Sequence, residues 1–182
     1  MQTYLTLHDK KFVPYLSAGQ IEDAVQSIAE AINQDFEEKN PLFIAVLNGS
    51  FMIAADIMKK IRIRSELSFV KLASYQGTHS SGEINELIGL TDDLNGRHVI
   101  ILEDIVDTGN TLAHLKEILK THELDSLSIA TLLLKPDVFR KKYPVEYVGI
   151  NIPNKFVVGY GLDYNQQGRN LGEIYELAED TL

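Results

Sequence analysis

The chain has 182 residues, a formal net charge of −9 and no cysteine. That length suits a single domain over 1–182, and 45% hydrophobic residues are enough for a sizeable core. The acidic balance argues against non-specific nucleic-acid binding, and the missing thiols exclude a disulfide framework, a thiolate metal site and a catalytic cysteine. No apolar run reaches the ~18 residues of a membrane span. The start, "MQTYLTLHDKKFV", lacks a basic stretch followed by an apolar one. A cytoplasmic protein with no membrane and no nucleic-acid partner is the expectation.

Ser17 followed by Gln20 predicts a capping box, and Ile21, Val25, Ile28 and Ile32 then fall on one helical stripe. "LFIAVL" (42–47) reads as a buried strand, followed by Asn48-Gly49-Ser50 and a helix in "FMIAADIMKKI". "LSFVKL" (67–72), "HVIILE" (98–103) and "LSIATLLL" (127–134) read as further strands, with a helix in "TLAHLKEILKTH". "EYVGI" and "KFVVGY" are shorter strand candidates, and "GEIYELAED" reads as an acidic helix end or frayed terminus. The segment 73–97 reads as a long loop, small and polar in its first half, of the kind that forms lids. Near-continuous apolar strands alternating with helices predict an α/β fold with a mostly parallel central sheet flanked by helices. Ligands of such sheets bind where strand ends lead into helices. The strand ends that stand out are "LNGS", "EDIVDTGNT" and "LLLKPD".

"EDIVDTGNT" (103–111) follows the apolar run "HVIIL" directly. Its second half suits a phosphate: a helix start offers free N–H groups, Gly109 permits close approach, and Thr108 and Thr111 add hydroxyls. It is neither a Walker loop nor a dinucleotide fingerprint. Glu103 and Asp104 upstream would repel a phosphate unless sugar hydroxyls or Mg²⁺ intervene. Adjacent strand residues face opposite ways, so a local bend is needed for both acids to serve one ligand. The local chemistry therefore suggests a ribose phosphate. Solvated acids at a strand end are the plainer explanation for any one of these residues taken alone.

"VIILEDIVDTGNTL" resembles the phosphoribosyl-pyrophosphate motif of the type I phosphoribosyltransferases, and the acid at Asp107 is similar to their hypoxanthine-guanine (6-oxopurine) branch. "VLNGSF" resembles the pyrophosphate loop, "SYQGTHSSG" the lid (about 73–83), and "LLLK" and "IPNKFVVGYGLDYNQQGRNL" the purine-binding and closing segments. The resemblance implies a small hood formed by the terminal segments. It implies transfer of ribose 5-phosphate from phosphoribosyl pyrophosphate to N9 of hypoxanthine and guanine, with release of pyrophosphate and with Mg²⁺ as cofactor. By that resemblance Asp107 is the general base toward N7, Glu103 and Asp104 meet the ribose hydroxyls and Mg²⁺, and Asp163 is a further Mg²⁺ ligand. Thr108, Gly109, Asn110 and Thr111 hold the 5′-phosphate. Lys135 donates to O6, Phe156 stacks on the base, and the Val157 carbonyl meets its edge. Arg169 contacts pyrophosphate, Ser74 and Tyr75 belong to the lid, and Asn48 and Gly49 hold pyrophosphate through their backbone. Many relatives carry Lys where Asn48 stands, and the family has a cis peptide at that step. The resemblance also implies a homodimer or homotetramer.

A haloacid-dehalogenase-like phosphatase would need two aspartates separated by one residue, whereas Asp104 and Asp107 are separated by two. A non-catalytic regulator of the same fold would be expected to lose the base or to carry a basic face, whereas this chain keeps Asp107, Lys135 and Arg169 and is net acidic. Preference for xanthine is a third alternative. No histidines pair at metal-ligand spacing, and His79, in the lid segment, reads most simply as solvated.

Overall fold

The computed structural model describes residues 4–74, 84–88 and 93–178. In chain order its elements are β1 (Leu5–Leu7), β2 (Lys10–Leu16), α1 (Ala18–Asp35), β3 (Leu42–Leu47), α2 (Phe51–Lys60) and β4 (Glu66–Ser74). There follow β5 (Ile84–Ile88), β6 (His98–Val106), α3 (Asn110–Leu119), β7 (Ser126–Leu134), β8 (Tyr147–Asn151), β9 (Val157–Val158) and β10 (Ile174–Leu177).

The larger sheet has the order β5-β4-β3-β6-β7-β8, parallel throughout except for the antiparallel edge strand β5. Its strands are apolar on both faces because both are covered. One face packs Phe43, Ala45, Ile100 and Leu102 against α1 and α2, through Val25, Ile28, Ile53 and Ile57. The other packs Ile44, Val99, Ile101 and Ile129 against α3, through Leu112, Leu115 and Leu119. The helix over 18–35 starts at the expected capping box: the Ser17 side chain accepts from the Gln20 N–H, and the Gln20 side chain accepts from the Ser17 N–H. A cap of this kind is worth about 1 kcal/mol.

The second sheet, β1-β2-β10-β9, is antiparallel and joins the two ends of the described chain. It is the small hood that the family resemblance implies. It corrects the expectation for "GEIYELAED": Ile174–Leu177 is a strand held between β2 and β9, with Ile174 fully buried. A second correction falls in 73–97, where Ile84–Ile88 pairs with β4. Tyr75 and His79 lie outside the described residues, as does most of the lid segment. No helix among the described residues is long and apolar enough to cross a membrane.

In strand order β3 and β6 are neighbours, yet β3 leads through α2 to β4 on one side and β6 leads through α3 to β7 on the other. Their carboxyl ends are thus a topological switch point, where the two departing chains leave a crevice.

Candidate active site

The crevice is a cleft of about 360 Å³ lined by Asn48, Gly49, Glu103, Asp104 and Thr111, with Val46, Leu47, Leu72 and Ile105. Two helix starts open into this region. Ser50, at the head of α2, is fully buried and gives its hydroxyl to the Val46 carbonyl at 2.6 Å instead of capping the helix. Gly109, at the head of α3, has no side chain to cap with and takes φ +76°. Both helices therefore keep first-turn N–H groups and the positive ends of their dipoles free for an anion, whereas α1, remote from the cleft, is fully capped.

The floor is acidic. β6 runs on to Val106, past the expected end at 103. Between His98 and Val106 only Asp104 has no partner on β7, and its Oδ1 turns back to accept from the Ile105 N–H at 2.9 Å. Glu103 and Asp104 both line the cleft, although the register of β6 on β7 continues unbroken on either side of Asp104. Burial, and then the Asp104 charge, raise the Glu103 carboxyl well above its ordinary range. No described residue donates a hydrogen bond to it. Burial pushes Asp104 up to about 6, against the pull of its local N–H groups and Arg169, with Asp163 adding to the rise. Glu103 and Asp104 are thus short of positive partners. No group of three or more acids or histidines placed to hold a metal is found among the described residues.

Gly49 is wedged between two groups. A Cβ built on it would lie 1.6 Å from Asp104 Oδ2, and one on Gly161 would lie 2.0 Å from the Gly49 carbonyl oxygen. The Leu47–Asn48 peptide is cis, as the resemblance implies. Arg169 is held on the same side: it donates to the Gly161 carbonyl at 2.7 Å and pairs with Asp163 at 2.6 Å. The other Asp163 oxygen accepts from the Gln166 N–H at 2.8 Å.

Asp107 stands where the chain leaves β6, half-exposed, and Lys135, beyond β7, is buried with its Nζ 2.8 Å from Asp107 Oδ2. Asn154 Oδ1 accepts from the same ammonium at 3.4 Å. Two residues further on, Phe156 is 46% exposed, a large apolar ring left open at the surface. It meets Tyr164 edge-on at 5.9 Å, and Val157 beneath it pairs with Glu176 of β10.

Thr108, Asn110 and Thr111 remain around the start of α3. Behind them lies a collar that sequence reasoning missed. Tyr143 donates to the Gly109 carbonyl at 3.1 Å, Lys141 donates to Asn110 Oδ1 at 2.8 Å, and Phe139 fills the space where a Gly109 side chain would go. The basic run 140–142 carried no signal beyond exposed charge. Asn154 lies in the segment "IPNKFVVGY", but no role was read for it. Ser74 ends β4, and its backbone pairs with Ile84.

A phosphoribosyl transferase domain model matches residues 15–165, and the chain belongs to that family. The hypoxanthine-guanine phosphoribosyltransferase of Streptococcus pneumoniae is 41% identical over 167 residues, 91% of this chain and 93% of the relative. The hypoxanthine phosphoribosyltransferase of Haemophilus influenzae is 40% identical, over 87% of this chain and 91% of the relative. A crystal structure of a hypoxanthine-guanine phosphoribosyltransferase from Bacillus anthracis matches with a TM-score of 0.84 at 36% identity, covering 91% of this chain and 96% of that one.

Proposed function

We propose that the chain is a purine-salvage enzyme that transfers 5-phosphoribosyl from phosphoribosyl pyrophosphate to N9 of hypoxanthine and guanine, forming inosinate and guanylate. The observation that carries this reading is the pairing of two uncapped helix starts across a buried, partner-poor acid pair. One helix start takes each phosphate end of the sugar substrate, and the acids take its middle.

In this reading Thr108–Thr111 hold the 5′-phosphate through N–H groups and hydroxyls, and Asn48, Gly49 and Arg169 hold pyrophosphate. Glu103 and Asp104 accept hydrogen bonds from the ribose hydroxyls and would hold the associated Mg²⁺, and Asp163 would supply a further Mg²⁺ ligand. Held there, Mg²⁺ would supply charge neutralisation for the leaving pyrophosphate. The bond to the anomeric carbon breaks with oxocarbenium character, and the acidic floor favours that developing positive charge. Phe156 stacks on the purine, Val157 meets its edge through the backbone, and Lys135 donates to O6. Asp107 takes the proton from N7 as N9 bonds to the sugar. Ser74 and Tyr75 belong to the lid that keeps water from the activated sugar.

The reading includes a single cytoplasmic domain over 1–182 acting as a homodimer or homotetramer, which light scattering checks. The decisive experiment is Mg²⁺-dependent formation of inosinate from hypoxanthine and phosphoribosyl pyrophosphate. Absence of product with hypoxanthine and guanine, but not with xanthine, would transfer the assignment to a xanthine enzyme.

A further inference from the structure

Tyr160 is an unusual residue in the closing segment. It is 4% exposed, its backbone takes φ +49°, and its hydroxyl donates to Asp56 Oδ2 at 2.6 Å, across 104 residues of chain. Left-handed backbone is unfavourable for a bulky non-glycine residue, so the side chain must be held by what it reaches. What it reaches is the middle of α2, the helix whose first turn opens on the pyrophosphate loop.

We propose that Tyr160 and Asp56 form a strut that positions the pyrophosphate side of the site, and that both are positioning residues for the sugar substrate and not for the purine; this rests on the functional reading above. The next residue, Gly161, lies so close to Gly49 that no Cβ fits between them. The height of the 159–163 turn over α2 therefore sets the orientation of the Gly49 peptide. The Gly161 carbonyl also accepts from Arg169, so the same turn aims the guanidinium. The Tyr160–Asp56 bond ties this turn to α2, while the Tyr160 N–H to the Leu171 carbonyl at 2.9 Å and the Gly161 N–H to the Arg169 carbonyl at 3.0 Å close the turn on the segment that carries Arg169.

The purine side is anchored independently. The Phe156 carbonyl accepts from the Leu177 N–H at 2.9 Å, and Val157 and Val158 pair with Glu176 and Tyr175 of β10. None of these contacts passes through Tyr160. The strut is charge-assisted. Burial works against the Asp56 charge, but Lys59 and the Tyr160 hydroxyl outweigh it and hold the carboxyl below its ordinary range. Burial and then Asp56 raise the phenol, which stays a donor at neutral pH.

The test is Tyr160→Phe, which removes the hydroxyl and keeps the ring. The expected result is a KM for phosphoribosyl pyrophosphate raised about five- to fiftyfold, with the hypoxanthine KM within about twofold of wild type. Asp56→Ala should reproduce this split, and Asp56→Asn, which keeps an acceptor, should restore most of the affinity. The Tyr160→Phe/Asp56→Ala double variant should be no worse than either single one, as two ends of one contact require. A lowered melting temperature with both KM values unchanged would make the contact merely structural and overturn the proposal, as would equal increases in both KM values. Failure of the wild-type protein to turn over any purine would overturn the functional reading together with the strut. Normal wild-type turnover with an unsplit variant overturns the strut alone.

Discussion

Lys135 Nζ lies 2.8 Å from Asp107 Oδ2, with the lysine side chain 8% exposed and the aspartate 48%. The residue assigned to O6 and the residue assigned to N7 thus hold each other. O6 and N7 are adjacent on the same edge of a 6-oxopurine, so the pair spans the atoms it would serve. Asp107→Asn should lower kcat by roughly 10²- to 10⁴-fold, the usual worth of a general base, with phosphoribosyl pyrophosphate binding near wild type. Turnover at the wild-type rate would sink the base assignment. Lys135→Ala should weaken the purine by about 1.5–3 kcal/mol, roughly tenfold to a hundredfold. An equal loss for the sugar substrate would count against its role as the purine reader.

A lysine donor at O6 discriminates by hydrogen-bond polarity. Adenine carries a donor where hypoxanthine and guanine carry an acceptor, so Lys135 would face another donor. Adenine should be used at least ~10²-fold less efficiently than hypoxanthine, by kcat/KM. Comparable values for the two bases would remove Lys135 as the specificity element.

Gly49→Ala tests the wedge. The added methyl would need the space of Asp104 Oδ2 and would displace either the acid or the loop. Overpacking of this kind costs about 1–3 kcal/mol, and here it falls on groups assigned to substrate. Activity should drop far more than stability, as assays and thermal melts on the same preparation would show. A fully active Gly49→Ala enzyme would mean that the loop does not work in this conformation.

Asp104 provides a pH test on the ligand-free protein. Its folded pKa of about 6 lies above the ordinary carboxylate value. The folded state therefore holds its proton more tightly than the unfolded state. Stability is greatest below the unfolded pKa and falls as pH rises from about 4 through about 6. Asp104→Asn keeps an acceptor for the Ile105 N–H and removes this loss. At pH 7.5 the variant should be the more stable by at most about 3 kcal/mol, and the gap should close by pH 4. Parallel stability curves across that range would contradict the assignment.

Much of this architecture was readable from local pattern. The apolar runs at 42–47, 98–103 and 127–134 became β3, β6 and β7, and the polar residues at the ends of β3 and β6 line the cleft. The hood was legible only in part: "KFVVGY" reads as a short strand and holds β9, whereas "GEIYELAED" reads as a helix end and holds β10. Val157–Val158 is a two-residue strand and Ile174–Leu177 carries a glutamate. Neither has a periodicity of its own, and each exists because β10 finds partners on both sides. That Glu103 and Asp104 line one cleft was not legible, because adjacent residues of a regular strand point to opposite faces. Tyr160 and Asp56 gave no signal at all, since nothing local marks residues that meet across 104 positions.

The sequence by itself determined which of the longer apolar segments are buried and what chemistry follows each of them. Those properties depend on neighbouring side chains and on the 3.6- and 2-residue periods. Only the tertiary structure decided that β3 lies beside β6, that Lys135 faces Asp107, and that Gly161 closes on Gly49. Those pairings depend on closing long loops so that several faces are buried at once, and no short window of residues contains that condition.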